Sequence, residues 1–382
     1  YCGVDVICHY ICFIFYNGSF WRYLVGTLFN NMSTIQKITV GDDEAEQRLD
    51  RWFRRKFAHI NQSNIEKMCR KGEIRVNGGR VKSNTRVSPG QIIRIPPLPS
   101  FDEIKQFSDQ KNITRSDAEM IRNCVIYKDD YLLVLNKPAG LAVQGGSKQT
   151  RHVDGMIGAL TFEREEAPRL VHRLDKDTSG VLLLARTQAM ASELTKAFRH
   201  QNTRKIYWAL VAGVPYPKIG SIKFGLVKKK GHTNDGAGEK MYCVHPDDIN
   251  STFGAKRAHT DYATLCFLAQ RASWMALIPV TGRTHQLRAH MSELGHPIVG
   301  DGKYGGSGQD NYGDGWGSGL GDDISKKMHL HARSLTIQHP VTGLDLVFSA
   351  PLPEHMLKTW NYFGWSESDV PFDPFDVNEE WQ

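Results

Sequence analysis

From residue 123 onward the chain is a succession of short runs rich in Val, Ile, Leu and Tyr, mostly joined by turns. Candidate strands are Cys124–Tyr127, Tyr131–Leu135, Val181–Ala185, Ile206–Val211, Tyr262–Phe267, Trp274–Val280 and Leu344–Ser349. Helical spacing fits Val153–Phe162, Ala189–His200 and Thr284–Leu294. A doubly wound parallel sheet needs a crossover connection, usually a helix, for each parallel strand pair. Three helices among so many strands favour a mixed sheet with peripheral helices, an α+β domain.

A unit of different character precedes it. Leu49, Trp52, Phe53 and Phe57 repeat at i, i+3, i+4 and i+8, one face of an amphipathic helix, while Arg48, Arg51 and Arg55 take another. Ser63-x-x-Glu66 is a capping box that opens a second helix, with Ile65, Met68 and Cys69 on its apolar side and Gly72 at its end. Ile74 and Val76 alternate as in a strand, Asn77-Gly78 is a hairpin turn, and Gln91–Ile95 forms a further strand. Lys67, Arg70, Lys71, Arg75 and Arg80 cluster near the junction. Pro96, Pro97 and Pro99 end the unit. The expected order is therefore an extension at 1–31, a small domain at 45–97, a linker at 98–122, a larger domain at 123–365 and a tail at 366–382.

The net charge of +7 is a mild pointer to an anionic partner, but its distribution says more. Between Glu46 and Ile95 stand thirteen Lys or Arg against four acids, so the remainder of the chain is slightly acidic. Positive charge gathered in one short module is the pattern of a nucleic-acid-binding unit. Seven scattered cysteines make no CxxC pair and no zinc spacing. The chain opens on Tyr, and its aromatic-rich Val6–Phe29 stretch is broken by His9, Asn17 and Arg22. That is too interrupted for a membrane span, so residues 1–31 are read as a non-native or disordered extension, with Met32 as the start and the cytoplasm as the compartment. Lys228–Asp248 and Gly305–Gly321, the latter with eight glycines in seventeen residues, read as surface insertions.

Three segments concentrate reactive groups. His172-Arg173-Leu174-Asp175-Lys176-Asp177-Thr178-Ser179-Gly180 sets acids, bases and hydroxyls against the strand Val181–Ala185. It suits a rigidly held catalytic loop, and equally an Asx or Ser/Thr turn at a strand entrance. Gly282-Arg283-Thr284-His285-Gln286-Leu287-Arg288-Ala289-His290 opens a helix whose first turns carry cations and donors. It suits a carboxylate or phosphate, or simply a solvated helix face. Lys205 and Tyr207 share one side of a strand, and Tyr207 reads as a base-stacking ring or as a half-buried sheet tyrosine.

Taken together, HRLDKDTSG at 172–180, RKIYWALVAG at 204–213 and GRTHQLRAHMSELGHPIVGD at 282–301 resemble the large-subunit ribosomal RNA pseudouridine synthase family. The loop Asn136-Lys137-Pro138-Ala139-Gly140 and LHARSLTIQHPVTG at 330–343 also match, and the Glu46–Ile95 unit resembles an S4 RNA-binding domain. The nearest branch of the family is synthase C, then synthase D. The resemblance implies a small S4 domain followed by a mixed-sheet catalytic domain, and an isomerase that turns specific uridines of 23S-type RNA into pseudouridine by base flipping. It implies that Asp175 is the nucleophile, Tyr207 the active-site tyrosine and Arg288 the basic partner of Asp175. Arg173 would take the place of the extruded base. With it, His172, Thr178, Lys137, Arg283, His285 and Gln286 are expected to bind substrate. Arg48, Arg51, Arg55, Lys67, Arg70, Lys71, Arg75 and Arg80 are expected to bind RNA from the S4 domain. The implied protein is a monomer that acts on ribosomal RNA, without cofactor, metal or membrane.

Two other readings compete. An S4-anchored RNA-binding or assembly factor would need no intact acid or arginine, and both are present. A carboxylate-based glycoside hydrolase needs a second positioned acid, and Asp177 is the nearest. If the basic unit is the RNA anchor, deleting residues 1–98 lowers the salt slope of RNA binding by roughly three or four units, one per lost phosphate contact. Binding measured at two salt concentrations checks this; equal slopes for soluble full-length and truncated proteins would refute it.

Overall fold

The computed structural model describes residues 35–60, 62–98, 113–145, 151–199, 203–228, 240–305, 324–371 and 373–375. They fall into two units, Tyr1–Asn112 and Ile113–Gln382. Residues 1–31, the Gly-rich 306–321 and the charged 229–239 lie outside the described residues.

In the first unit, β1 (Gln36–Thr39) is followed by α1 (Leu49–Lys56), α2 (Gln62–Lys71), β2 (Arg75–Val76), β3 (Gly79–Arg80) and β4 (Ile92–Ile95). The strands form an antiparallel sheet in the order β1-β4-β2-β3. The apolar stripe of the first helix is buried as its spacing predicts. Leu49, Trp52 and Phe53 pack with Ile65, Ile74, Ile93 and Ile95 in one core. Asn77 and Gly78 both have positive φ, as a two-residue hairpin turn of this kind requires. The unit begins earlier than residue 45, because β1 pairs along the whole of β4.

The second unit runs α3 (Arg115–Asn123), β5 (Val125–Lys128), β6 (Leu132–Lys137), α4 (Val153–Met156), β7 (Arg169–Leu170), β8 (Ser179–Ala185) and α5 (Gln188–Arg199). It continues with β9 (Thr203–Ala212), β10 (Ile219–Ile222), β11 (Gly225–Lys228), β12 (Met241–Val244), β13 (Lys256–Arg257), β14 (Thr260–Leu268) and β15 (Ala272–Pro279). It closes with α6 (Gln286–Glu293), β16 (Leu330–Gln338), β17 (Asp345–Ser349) and α7 (Glu354–Phe363). The main sheet has ten strands with the path β10-β14-β15-β9-β16-β8-β6-β5, to which β17 and β7 add at β16 and β8. Among the described strands only β8 and β16 pair in parallel, so the sheet is mixed, as expected for the α+β class.

Both faces of the sheet are covered, and period-two alternation assigns each side chain to a layer. On β8, Leu182 and Leu184 pack in one core, while Val181, Leu183 and Ala185 pack in another that includes Leu194 of α5. On β9, Ile206, Trp208 and Leu210 join Trp274 and Trp360 of α7. Ala209 and Val211 face Leu287 and Met291 of α6.

Three boundaries differ from the sequence reading. The segment read as linker, 98–122, ends in a helix: Thr114 Oγ1 accepts the Asp117 N–H at 3.1 Å and Ile121 is wholly buried. Ile121 is the one fully buried residue of this helix, and one such position carries little periodicity. The segment read as tail, 366–382, is packed at its start, where Val370 and Phe375 meet the Trp274 core and Arg333 pairs with Glu367 at 2.7 Å. Within the insertion read at Lys228–Asp248, β12 pairs with β11 in a small separate sheet.

His290, His329 and His331 are fully buried, and burial pulls them down to about 4, 3 and 4. Unfolded, such rings take a proton below about pH 6.5. Folded, they resist until about pH 3 to 4. Their contribution is therefore present above pH 6.5 and lost as pH falls through that window, at about 1.4 kcal/mol per pH unit for each ring. Urea unfolding at a series of pH values should report an uptake of about three protons from these groups near pH 5. An uptake below one would refute the burial of neutral rings.

Candidate active site

The three reactive segments lie far apart in the chain and meet because of strand order. Ala332 of β16 is paired with Gly180 of β8 on one side and with Tyr207 of β9 on the other. Tyr207 is in turn paired with Leu277 of β15, the strand that leads into α6. So the loop before β8, the middle of β9 and the start of α6 converge. The approach of β8 to β16 demands glycine: Gly180 has φ +107°, and a Cβ there would stand 2.2 Å from the Ala332 carbonyl oxygen.

A cleft of about 480 Å³ opens at this point, lined by Asp175, Tyr207, Arg288 and the loop from Pro279 to His285. Arg288 Nη1 donates to Asp175 Oδ2 at 3.1 Å. The same guanidinium grips the buried Asp301 through Nε at 2.6 Å and Nη2 at 2.8 Å, a bidentate pair. Burial acts to lower the Arg288 pKa, but the hydrogen bonds and charge of Asp301, then of Asp175, hold it above the ordinary arginine value. His285, in the left-handed region at the start of α6, stands with Nε2 3.7 Å from Asp175 Oδ2 and Nδ1 2.9 Å from the Tyr304 hydroxyl. Burial, then the charge of Arg288 and Lys303, pulls His285 down against the pull of Asp175. Burial, followed by the Asp175 charge, raises Tyr207 above an ordinary tyrosine, so its phenol stays protonated.

The remaining expected site residues divide into wall, mouth and scaffold. His172 stacks on Phe198 at 4.5 Å, and its Nε2 accepts the Leu183 N–H at 2.8 Å. Burial pulls it down to about 3, which makes it a neutral wall of the cleft. Thr178 is buried, its N–H closing a turn onto the Asp175 carbonyl at 3.2 Å. The turn and a position on the cleft lining thus coincide at Thr178. At the mouth, exposed Arg173 donates to Thr284 Oγ1 at 3.0 Å, and exposed Arg283 donates to the Arg257 carbonyl at 3.2 Å.

Lys137 and Gln286 differ from expectation. Lys137 is wholly buried, and its ammonium donates to the carbonyls of Pro138, Leu141 and Lys176 at 2.9, 2.7 and 3.0 Å. Gln286 accepts from Thr281 and from the Arg283 N–H, and donates to the His259 carbonyl and Thr260. Every donor of Lys137 and all four bonding positions of Gln286 are engaged within the protein. Both hold loops, and neither has a group left for a substrate.

Asp301, Tyr304 and Phe198 escaped the sequence reading. Asp301 ends the third motif, which was a usable signal, but its pairing with Arg288 depends on the turn after α6. Among the described residues no group of His, Cys, Asp and Glu is arranged to hold a metal ion.

In the first unit, Arg51, Arg55, Lys67, Arg70 and Arg80 are exposed. Arg48 pairs with Asp50 at 2.5 Å and Lys71 with Glu73 at 3.4 Å. Arg75 is half-buried and donates to the Gly72 and Gly78 carbonyls. A shallow groove there is lined by Lys37, Arg75 and Arg94.

Comparison with known proteins agrees with this layout. The RNA pseudouridylate synthase family model matches residues 131–293, and the S4 domain model matches 47–93. The chain is 34% identical over 325 residues to ribosomal large subunit pseudouridine synthase C of Vibrio cholerae, covering 84% of this chain and 95% of that protein. It is 36% identical over 329 residues to the protein of the same name from Yersinia pestis, covering 85% and 95%. A solved structure described as human RNA pseudouridylate synthase domain containing 4 is 30% identical, with a TM-score of 0.54 over 67% of this chain and 97% of that one.

The buried Arg288–Asp301 pair generates a stability test. Asp301→Leu alone leaves a buried guanidinium short of its partner and should lower the unfolding free energy by about 3–5 kcal/mol. Arg288→Met combined with Asp301→Leu should recover most of that loss, since no charge is then stranded. Urea unfolding of the single and double variants decides it. Equal losses in both would mean that the pair is not the brace described.

Proposed function

The chain belongs to the RNA pseudouridylate synthase family, with an S4 domain ahead of the synthase domain, and on that premise we propose that it isomerises specific uridines of large-subunit ribosomal RNA, with Asp175 as nucleophile. The family makes it an isomerase. The observation that carries the residue assignment is the Asp175 carboxylate joined to Arg288, at the floor of a cleft walled by Tyr207.

Pseudouridine formation breaks the bond between uracil N1 and the ribose, turns the base and joins C5 to the same ribose carbon. C5 loses a proton and N1 gains one, so substrate and product are isomers and no cofactor is consumed. Asp175 supplies the nucleophile, and Arg288, immobilised by Asp301, fixes its carboxylate. A uridine within a stem must first leave its stack, at a cost of a few kcal/mol. Tyr207 offers the flipped base a ring and a protonated hydroxyl. Exposed Arg173, at the mouth, is suited to fill the vacated space. His285 beside Asp175 and exposed Arg283 complete the substrate contacts. The exposed S4 cations supply sequence-independent phosphate attraction. The same reading makes the protein a monomer acting in the cytoplasm; among the described residues no helix is long and apolar enough to cross a membrane.

Incubation of large-subunit ribosomal RNA with the protein, followed by nucleoside analysis, tests the reading. Pseudouridine supports it, free uracil would make the protein a glycoside hydrolase, and unchanged RNA would make it a binding factor. Asp175→Asn keeps the shape and removes the nucleophile, so turnover should fall by at least about 10³-fold with RNA affinity within about twofold. Product formation by this variant above a contamination control would overturn the assignment.

A further inference from the structure

Two cations that line the cleft have no role in the chemistry above, Lys205 and Arg199, and of these only Lys205 is half-buried. Lys205 lies two residues before Tyr207 on β9, and both line the cleft. Its ammonium is half-buried over the ring of Phe198, 5.6 Å from the centroid. Among the described residues it makes no ion pair, unlike Arg288 on the opposite wall. Burial pulls its pKa below that of an ordinary lysine. A half-buried ammonium that meets only an aromatic face is poorly solvated and has donors to spare. It gains most from an anion brought into the cleft by the substrate. The acids at the site already have partners: Asp175 and Asp301 are held by Arg288. A nucleotide whose base lies on Tyr207 and whose ribose meets Asp175 brings its anionic phosphodiesters into the cleft that Lys205 also lines.

We propose that Lys205 binds a phosphodiester adjoining the target uridine and so positions the flipped nucleotide against Asp175 and Tyr207. This rests on the reading of the cleft as a uridine site. Phe198 sets the height of the ammonium and His172, stacked behind Phe198 and kept neutral, adds no competing charge. Exposed Arg173 and Arg283 tolerate many backbone paths, whereas a half-buried lysine on a central strand selects one. Lys205 is thus a positioning residue for the nucleotide and takes no part in bond making.

The test uses full-length protein and a stem-loop around a uridine that the wild-type protein converts in ribosomal RNA. Three versions of the stem-loop carry native phosphates, one uncharged methylphosphonate 5′ of the target, or one 3′ of it. One methylphosphonate should lower wild-type kcat/KM by about tenfold or more, the loss of one charge-assisted contact. Lys205→Met should show a similar loss on native RNA, a salt slope of binding lower by about one unit, and less than about twofold further loss with that methylphosphonate. Lys205→Arg should recover most of the activity and all of the salt slope. If Lys205→Met melts early, the arginine variant and the wild-type response to the two methylphosphonates still decide. Equal methylphosphonate losses in wild type and Lys205→Met, or an unchanged salt slope, overturn the proposal while leaving the isomerase reading intact. Failure of the wild-type protein to form any pseudouridine removes both.

Discussion

The Arg288–Asp301 pair is the interaction on which the site depends. Arg288 is exposed by only 7%, and a guanidinium is costly to bury unless its donors are engaged; here Asp301 takes two of them and Asp175 a third. Asp301 is itself fixed by the turn in which the N–H groups of Lys303 and Tyr304 donate to its Oδ1. The orientation of Asp175 is thus set by a chain of contacts that starts in the backbone after α6. The carboxylate is held in place before anything enters the cleft, which is the property a preorganised site requires.

The sheet supplies what that pair cannot. Ala332 sits between Gly180 and Tyr207, so the spacing from the acid loop to the tyrosine is fixed by two strand widths. Lys137 works on the other side of the loop. Its ammonium ties the Lys176 carbonyl to the turn at Pro138–Leu141, immediately next to Asp175. Burial draws its pKa to about 7, yet each of its three donors meets a carbonyl. The acid loop is therefore held from below by backbone and from the side by Arg288.

Much of this was legible in the sequence, for identifiable reasons. The stripe of Leu49, Trp52 and Phe53 forms a helix, with Phe57 just past its end in the same core, because one face had a core to meet. The three reactive motifs carried the family, and with it the expectation that Asp175, Tyr207 and Arg288 share one pocket. The polar residues were harder. Lys137 and Gln286 look like ligand-binding groups because their partners are carbonyls and hydroxyls that only the fold brings near. The strand Leu330–Gln338 was missed since His331 and Ser334 interrupt its alternation, although both are buried; His331 bonds to Ser179 and to the Ala350 carbonyl. The helix Glu354–Phe363 did carry a signal, with Met356, Thr359, Trp360 and Phe363 at helical spacing, and Trp360 was the clue to its burial.

The position of Leu330–Gln338 between β8 and β9 also governs when the site comes into being. About 120 residues separate β9 from β16, one of the two strands that pair with it, so this closure is among the longest in the described residues. A growing polypeptide that has already made Asp175, Tyr207 and Arg288 still lacks the strand that spaces the first two. Until that strand inserts, β8 and β9 have no common neighbour, and each presents an open edge. Synthesis therefore yields Asp175, Tyr207 and Arg288 before the strand that completes the cleft they line. The same topology makes folding slow relative to a locally connected sheet, since the last strand of the core path pairs with two strands made long before it.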